Sequence, residues 1–228
     1  MQVKKLQVFL FILVILVIDQ AVKFYIKTNF YLGEEHKILG NWFRIHFVEN
    51  EGMAWGWKLG ENGSWGKIAL TVFRLLAVIF GVYYINQVIH KKYHRGFIIC
   101  VAMIFAGAVG NLIDSLFYGM VFDASDPIKQ NLAKFLPEGG GYASFLHGKV
   151  VDMLYFPIIE SHWPKWLPVI GGDSFEFFSP VFNIADASIS LGLIIILFFQ
   201  NRFFKKHAEE NHAVVETNVT TSDDVQVL

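Results

Sequence analysis

The chain has 228 residues, 54% of them hydrophobic and 16% aromatic, with a formal net charge of −1. So apolar a composition exceeds that of an ordinary soluble domain and marks a polytopic membrane protein, and the near-zero charge gives nucleic acid nothing to bind. The single cysteine, Cys100, lies in an apolar run, which excludes a disulfide and a cysteine-rich metal site and leaves a buried, inert thiol.

Taken in chain order, Lys4 and Lys5 precede the apolar run 8–18 as a secretory n-region precedes an h-region. "DQAVKFYIK" follows in place of a small-x-small cleavage site, so a retained helix is expected over 6–26, with Asp19, Gln20 and Lys23 inside it. In the connection 27–65, "WFRIHFV" alternates Phe43, Ile45 and Phe47 with Arg44, His46 and Val48, the pattern of a half-buried strand. "ENEGMAWGWKLG" then turns into Gly- and Trp-rich chain suited to a membrane interface. Apolar stretches at about 66–89, 96–118 and 181–204 each supply the ~20 residues a helix needs to cross the hydrocarbon core. Between the last two, 119–180 holds Pro127, "PEGGGY" and "VIGGDS" and reads as loop with short elements. From 207 on the chain is polar and acidic, and a disordered tail is expected.

Basic residues set the orientation. Lys4 and Lys5, "HKKYHR" between the second and third helices, and "RFFKK" after the fourth all fall on one side of a four-helix arrangement. The positive-inside rule makes that side, and both termini, cytoplasmic. At 1.5 Å per residue, Asp19 then lies roughly 20 Å along the first helix, and Asn111 and Asp114 roughly 22–27 Å along the third. Arg74 lies roughly 12 Å, and Asp186 about 8 Å, from the outer ends of their helices. The intramembrane polar groups therefore collect in the outer half, which points to one outward-facing site between helices.

"GNLID" places Asn111 and Asp114 at i, i+3 on one helix face, and "FNIAD" does the same for Asn183 and Asp186. Each pair could be interhelical hydrogen-bond glue worth around 0.6 kcal/mol. Two pairs at one depth, with "GKVVD" just before the fourth helix, favour a site. His90 and His94 in "HKKYH" stand at i, i+4 but read as a solvated basic loop, and no G-x-S-x-G elbow supports serine catalysis.

In this order, "DQAVK", "NEGMAWG", "GNLID", "GKVVD" and "FNIAD" resemble the lipoprotein signal peptidases (signal peptidase II), aspartic peptidases of the bacterial cytoplasmic membrane. The resemblance covers about 18–192. It implies a helical membrane protein with a four-helix transmembrane bundle and a small outward-facing β-containing part. It implies a peptidase, working without cofactor or metal, that removes signal peptides from diacylglyceryl-modified prolipoproteins at the outer face of the inner membrane. Its partners would be those substrates and membrane lipids, and a monomer is expected. Carried over, the catalytic pair is Asp152 and Asp186, and Asp19, Lys23, Asn50, Gly52, Asn111, Asp114, Asn183 and Ala185 form the surrounding motif set. Carboxylates about 3 Å apart would share a proton and titrate as a coupled pair. Asn50 is expected to bond the extended peptide, and Ala185 to leave room beside Asp186 for its backbone.

The chain departs from the family pattern twice. Ser115 follows Asp114 where an arginine is usual, and Arg74 is expected to supply the missing cation with Asp114 or Asp19 as partner. The interval between "GNLID" and "GKVVD" is also enlarged, so "GMVFD" offers Asp123 as a second candidate acid. The Pro-containing "ASDP" after Asp123 and the anchoring "MLYFP" after Asp152 favour Asp152. Two rivals are an ion or proton-coupled transporter, which needs polar groups through the inner half as well, and a non-enzymatic scaffold.

Overall fold

The computed structural model describes residues 4–51, 64–157, 159–162, 166, 172, 174–177 and 180–223. Gly52 and the Trp-rich stretch after it lie outside the described residues.

The first two helices are α1 (Lys5–Asn29) and α2 (Ser64–His90). Then α3 (Arg95–Ile113) runs through a π-helical turn (Asp114–Tyr118) into a short α4 (Gly119–Val121), and α5 spans Ile184–Asp223. Four segments are long and apolar enough to span a bilayer: Lys5–Asn29, Gly66–His90, Arg95–Val121 and Ile184–Phe204. Phe73, Phe80 and Phe198 are exposed on them, as lipid-facing side chains would be. The third segment is the centre, packed by α1, α2 and α5 alike. Its "AGAVG" lets backbones close up: a Cβ on Gly107 would lie 2.3 Å from the carbonyl oxygen of Ala185. Small residues at such crossings replace the hydrophobic drive that lipid removes.

One buried cluster, with Val8, Ile12, Val88, Ile98 and Phe203, fills one end of the bundle with apolar side chains. A second, with Ile26, Phe47, Tyr118, Phe122, Val151 and Met153, joins the other end to the sheet. That sheet is antiparallel in the order β1 (Glu35–Leu39), β2 (Phe43–Asn50), β3 (Val150–Tyr155), β6 (Val181–Phe182). A separate hairpin pairs β4 (Ile159–His162) with β5 (Ser174–Phe177).

Two expectations change here. In β2 the buried residues are Arg44 and Phe47, three apart, because the register with β3 slips between Ile45 and Val48. Arg44 tolerates burial by pairing with Glu35 at 3.1 Å and lying over the Tyr155 ring. The tail expected to be disordered continues α5 as helix to Asp223, past a departure from helical angles at Phe199 (φ −110°, ψ 15°).

The long stretch after α4 is stitched to the helix it leaves. The Leu136 N–H donates to the Val121 carbonyl at 2.7 Å, Ala143 to Gly119 at 2.8 Å, and Gly148 to Ser115 at 2.9 Å. A Cβ on Gly148 would lie 2.0 Å from the Asp114 carbonyl oxygen, so the glycine of "GKVVD" is set by that close approach. Asp152 is thereby delivered to the end of α3.

Candidate active site

Asp186 stands at the start of α5 for a local reason. The Asn183 side-chain oxygen accepts the Asp186 N–H at 2.9 Å, and Asp186 Oδ2 accepts the Asn183 N–H at 3.3 Å. This reciprocal pair is a capping box, which accounts for the N-x-x-D spacing, and the positive end of the helix dipole favours the carboxylate. Asp152 comes from the central strand β3, between buried Val151 and Met153, and is only 2% exposed.

Asn183 spans the two acids. Its Nδ2 donates to Asp152 Oδ1 at 2.7 Å while its backbone and oxygen hold Asp186. Asn50 Nδ2 donates to Asp152 Oδ2 at 3.1 Å, and Asn111 Nδ2 to Asp186 Oδ1 at 2.7 Å. The two carboxyl groups are thus linked through the amide and backbone of Asn183. Amide donors satisfy the oxygens of each carboxyl group. Burial, and then the charge of Asp186, push the Asp152 carboxyl up to about 7, against the pull of the Asn50 and Asn183 amides. Asp186 also lines an open cleft of about 450 Å³ with Phe156, Pro180, Phe182, Ala187 and Ser190. Phe156 stacks on Phe43 at 4.7 Å and on Phe182 at 5.8 Å, so the walls are aromatic.

Behind this pair a buried ion network fixes the helices. Lys23 reaches Asp19 at 3.0 Å, Asp114 at 2.8 Å and Asn111 Oδ1 at 3.0 Å, using all three of its donors. Asp19 Oδ1 accepts the Ala185 N–H at 2.9 Å, and Gln20 Nε2 donates to Asp114 Oδ1 at 2.9 Å. Asn111 Oδ1, held by Lys23, also accepts from Asn183 at 3.1 Å, so α1, α3 and α5 share one set of bonds. Asp114 and Ser115 open the π-helical turn, a local widening that often accompanies functional sites.

Of the eleven sequence-predicted positions, the nine other than Gly52 and Ala185 are placed by side-chain contacts. Asp152, Asp186, Asn183, Asn111, Asn50, Lys23, Asp19 and Asp114 join the network described above. Arg74 differs in its partner: it donates to Ser115 Oγ at 2.8 Å, and Ser115 Oγ donates to the Asn111 carbonyl at 2.9 Å. Among the described residues it forms no ion pair with Asp114 or Asp19, but its charge acts on Asp186, Asp114 and Asp152. Ala185 is fully buried against α3 with its N–H on Asp19, so it serves helix packing and not room for a peptide. Asn50 is engaged by Asp152. Asp123 stays in its loop, accepting the Lys134 N–H at 2.6 Å.

Sequence reasoning placed Gln20 in the first helix without a role there, and missed Glu49 and Lys27. Lys27 is fully buried, pairs with Glu49, donates to Ser125 Oγ at 2.9 Å and lies 5.1 Å from the centre of the Tyr142 ring. Burial opposes the charge of Glu49, but Lys27 and then Lys149 hold its carboxyl below the usual range. The signal was present: Asp19, Lys23 and Lys27 follow one another at four-residue steps on one face of α1.

Fold and site define a polytopic membrane protein with two carboxyl groups joined through Asn183, one of them lining an aromatic cleft, and a buried ion network behind them. The family described as signal peptidase (SPase) II matches residues 11–202, and the chain belongs to that family. A lipoprotein signal peptidase of Porphyromonas gingivalis is 46% identical over 187 residues, 82% of this chain and 79% of the relative. One of Amoebophilus asiaticus is 31% identical over 214 residues, 92% of this chain and 83% of the relative. A solved bacterial membrane enzyme shares the fold at a TM-score of 0.54 and 21% identity, covering 88% of this chain and 92% of its own. The transporter reading finds no support in this kinship.

Proposed function

We propose that the protein is an aspartic endopeptidase that removes signal peptides from diacylglyceryl-modified prolipoproteins at the outer face of the bacterial inner membrane, with Asp152 and Asp186 as its catalytic pair. Family membership supports the reaction. The observation that carries the assignment of residues is Asn183, which binds Asp152 with its side chain and caps the helix that presents Asp186. Asp186 faces the cleft and takes the proton of the attacking water. Asp152, raised toward neutrality, keeps a proton with which to bond the scissile carbonyl oxygen, and a proton then passes to the leaving amine. The aromatic walls suit a substrate whose acyl chains stay in lipid while its peptide bond reaches the acids.

The enlarged loop makes a matched pair of variants the test. In a gel assay of prolipoprotein processing, Asp123→Asn keeps most of the activity and Asp152→Asn loses it. The opposite ranking would move the acid to Asp123.

Arg74 is assigned the cation that the motif lacks at position 115. Arg74→Leu removes the charge-assisted bond to Ser115 and the positive field on three carboxylates, worth about 1.5–3 kcal/mol, so kcat falls by roughly 10- to 100-fold. Adding Ser115→Arg to that variant should recover much of the loss. A single variant as stable and active as the parent would show that Arg74 merely reaches the headgroups.

The raised Asp152 carboxyl also fixes a pH profile. Below about 7 it holds its proton, and above that it loses it, so kcat/KM should decline as pH rises through this value. A profile flat from pH 6 to 9 would contradict the role of Asp152 as the proton-holding member.

A further inference from the structure

Residues 123–149 place no side chain on Asp152 or Asp186, yet they turn large apolar groups outward. Ile128 is 91% exposed, and Leu132, Phe135, Leu136 and Phe145 are all about half exposed or more. Leu136 holds φ 50°, a backbone region that a bulky residue rarely adopts, and still projects its side chain outward. A surface loop in water would carry polar residues or glycine at such positions.

Two of these side chains continue the lipid-facing surface of the bundle. The Phe135 ring meets Phe24 of α1 edge-on at 5.2 Å, and Phe145 meets Phe117 of the π-helical turn at 5.8 Å. Phe24 and Phe117 are themselves exposed on spanning segments. They lie roughly 28 Å and 33 Å from the starts of α1 and α3 at 1.5 Å per residue. That is where a hydrocarbon core of about 30 Å ends. The loop's apolar side therefore begins, at two separate places, where the lipid-facing helix surface stops. Backbone bonds from Leu136, Ala143 and Gly148 to the end of the third span hold it there.

We propose that residues 123–149 form an interfacial element that lies in the headgroup–acyl boundary of the outer leaflet, with Ile128, Leu132, Phe135, Leu136 and Phe145 in contact with lipid. The bilayer is the occupant because the patch is continuous with the surface that the helices already present to it. Exposed Lys129 and Lys134, in the same segment, carry charged ends that can reach the headgroups while their stems lie on the apolar surface.

Cys100 is buried, so an environment-sensitive fluorophore can be attached selectively to Ile128→Cys or Leu132→Cys in the full-length protein. The labelled protein is placed in phosphatidylcholine–phosphatidylglycerol vesicles with or without lipid spin-labelled near the headgroup. The expected result at both positions is blue-shifted emission, loss of most of it to the spin-labelled lipid, and protection from aqueous iodide. Quenching by iodide without quenching by lipid would overturn the proposal, as would protection from both, which indicates a protein partner or a second copy. No substrate is needed, so the outcome is independent of the peptidase assignment.

Discussion

Replacing either Asp152 or Asp186 by Asn is expected to lower prolipoprotein cleavage by on the order of 10³-fold while the protein still inserts and folds. General acid–base transfer contributes ~10²–10⁴-fold, and an amide beside one carboxylate cannot pass a proton between water and the leaving amine. Asn matches Asp in size and shape, so the outline of the site changes little. Stability separates the two roles of Asp152. Its carboxyl titrates at about 7 in the folded chain against an ordinary 3.8, so the folded state keeps a proton that the unfolded state has released. Stability from this group is complete below the unfolded value and is lost as pH rises toward 7. The Tm of the parent should therefore decline more across this window than that of Asp152→Asn. Substantial activity in either purified variant would remove that residue from the catalytic pair.

Lys23→Met is expected to produce the largest loss of stability. Lys23 has no solvent exposure and bonds two carboxylates that are themselves fully buried. Its removal leaves Asp19 and Asp114 without a counter-ion, and breaking a buried pair in this way costs about 3–5 kcal/mol. The loss should be strongly non-additive: Lys23→Met with Asp114→Asn should unfold at higher temperature than Lys23→Met alone, because the second change removes an orphaned charge. Thermal unfolding in detergent, followed by intrinsic fluorescence, reads both. If Lys23→Met unfolds with the parent, Lys23 is not what holds the carboxylates together.

The four helices were legible because lipid demands long apolar runs, and periodicity in the chain reports them directly. The depth of the polar groups was legible for a related reason: a charge in an apolar run stands out and is placed by counting residues. The pairing of those groups was not. That Arg74 would meet Ser115 rather than a carboxylate depends on the rotation of α2 against α3, which neither sequence fixes. The capping box explains why Asn183 and Asp186 stand three apart, but not that the same Asn183 amide would reach across to Asp152. β2 misled for a physical reason too, since a register slip breaks the two-residue period on which the alternation argument rests. Lys27 falls at the start of the connection 27–65 by hydropathy, where a lysine calls for no partner, whereas the folded-back loop brings Ser125 and Tyr142 over it and β2 supplies Glu49.

The most direct test of the central claim is the mass of the products when the purified full-length protein, in lipid nanodiscs, is incubated with a diacylglyceryl-modified prolipoprotein and with the same precursor lacking the lipid. One cut is expected in the lipidated precursor, giving a mature chain that begins at the lipid-bearing cysteine, and no cut in the unlipidated one. No cleavage of the lipidated precursor, or cleavage elsewhere that is indifferent to the lipid, would contradict it.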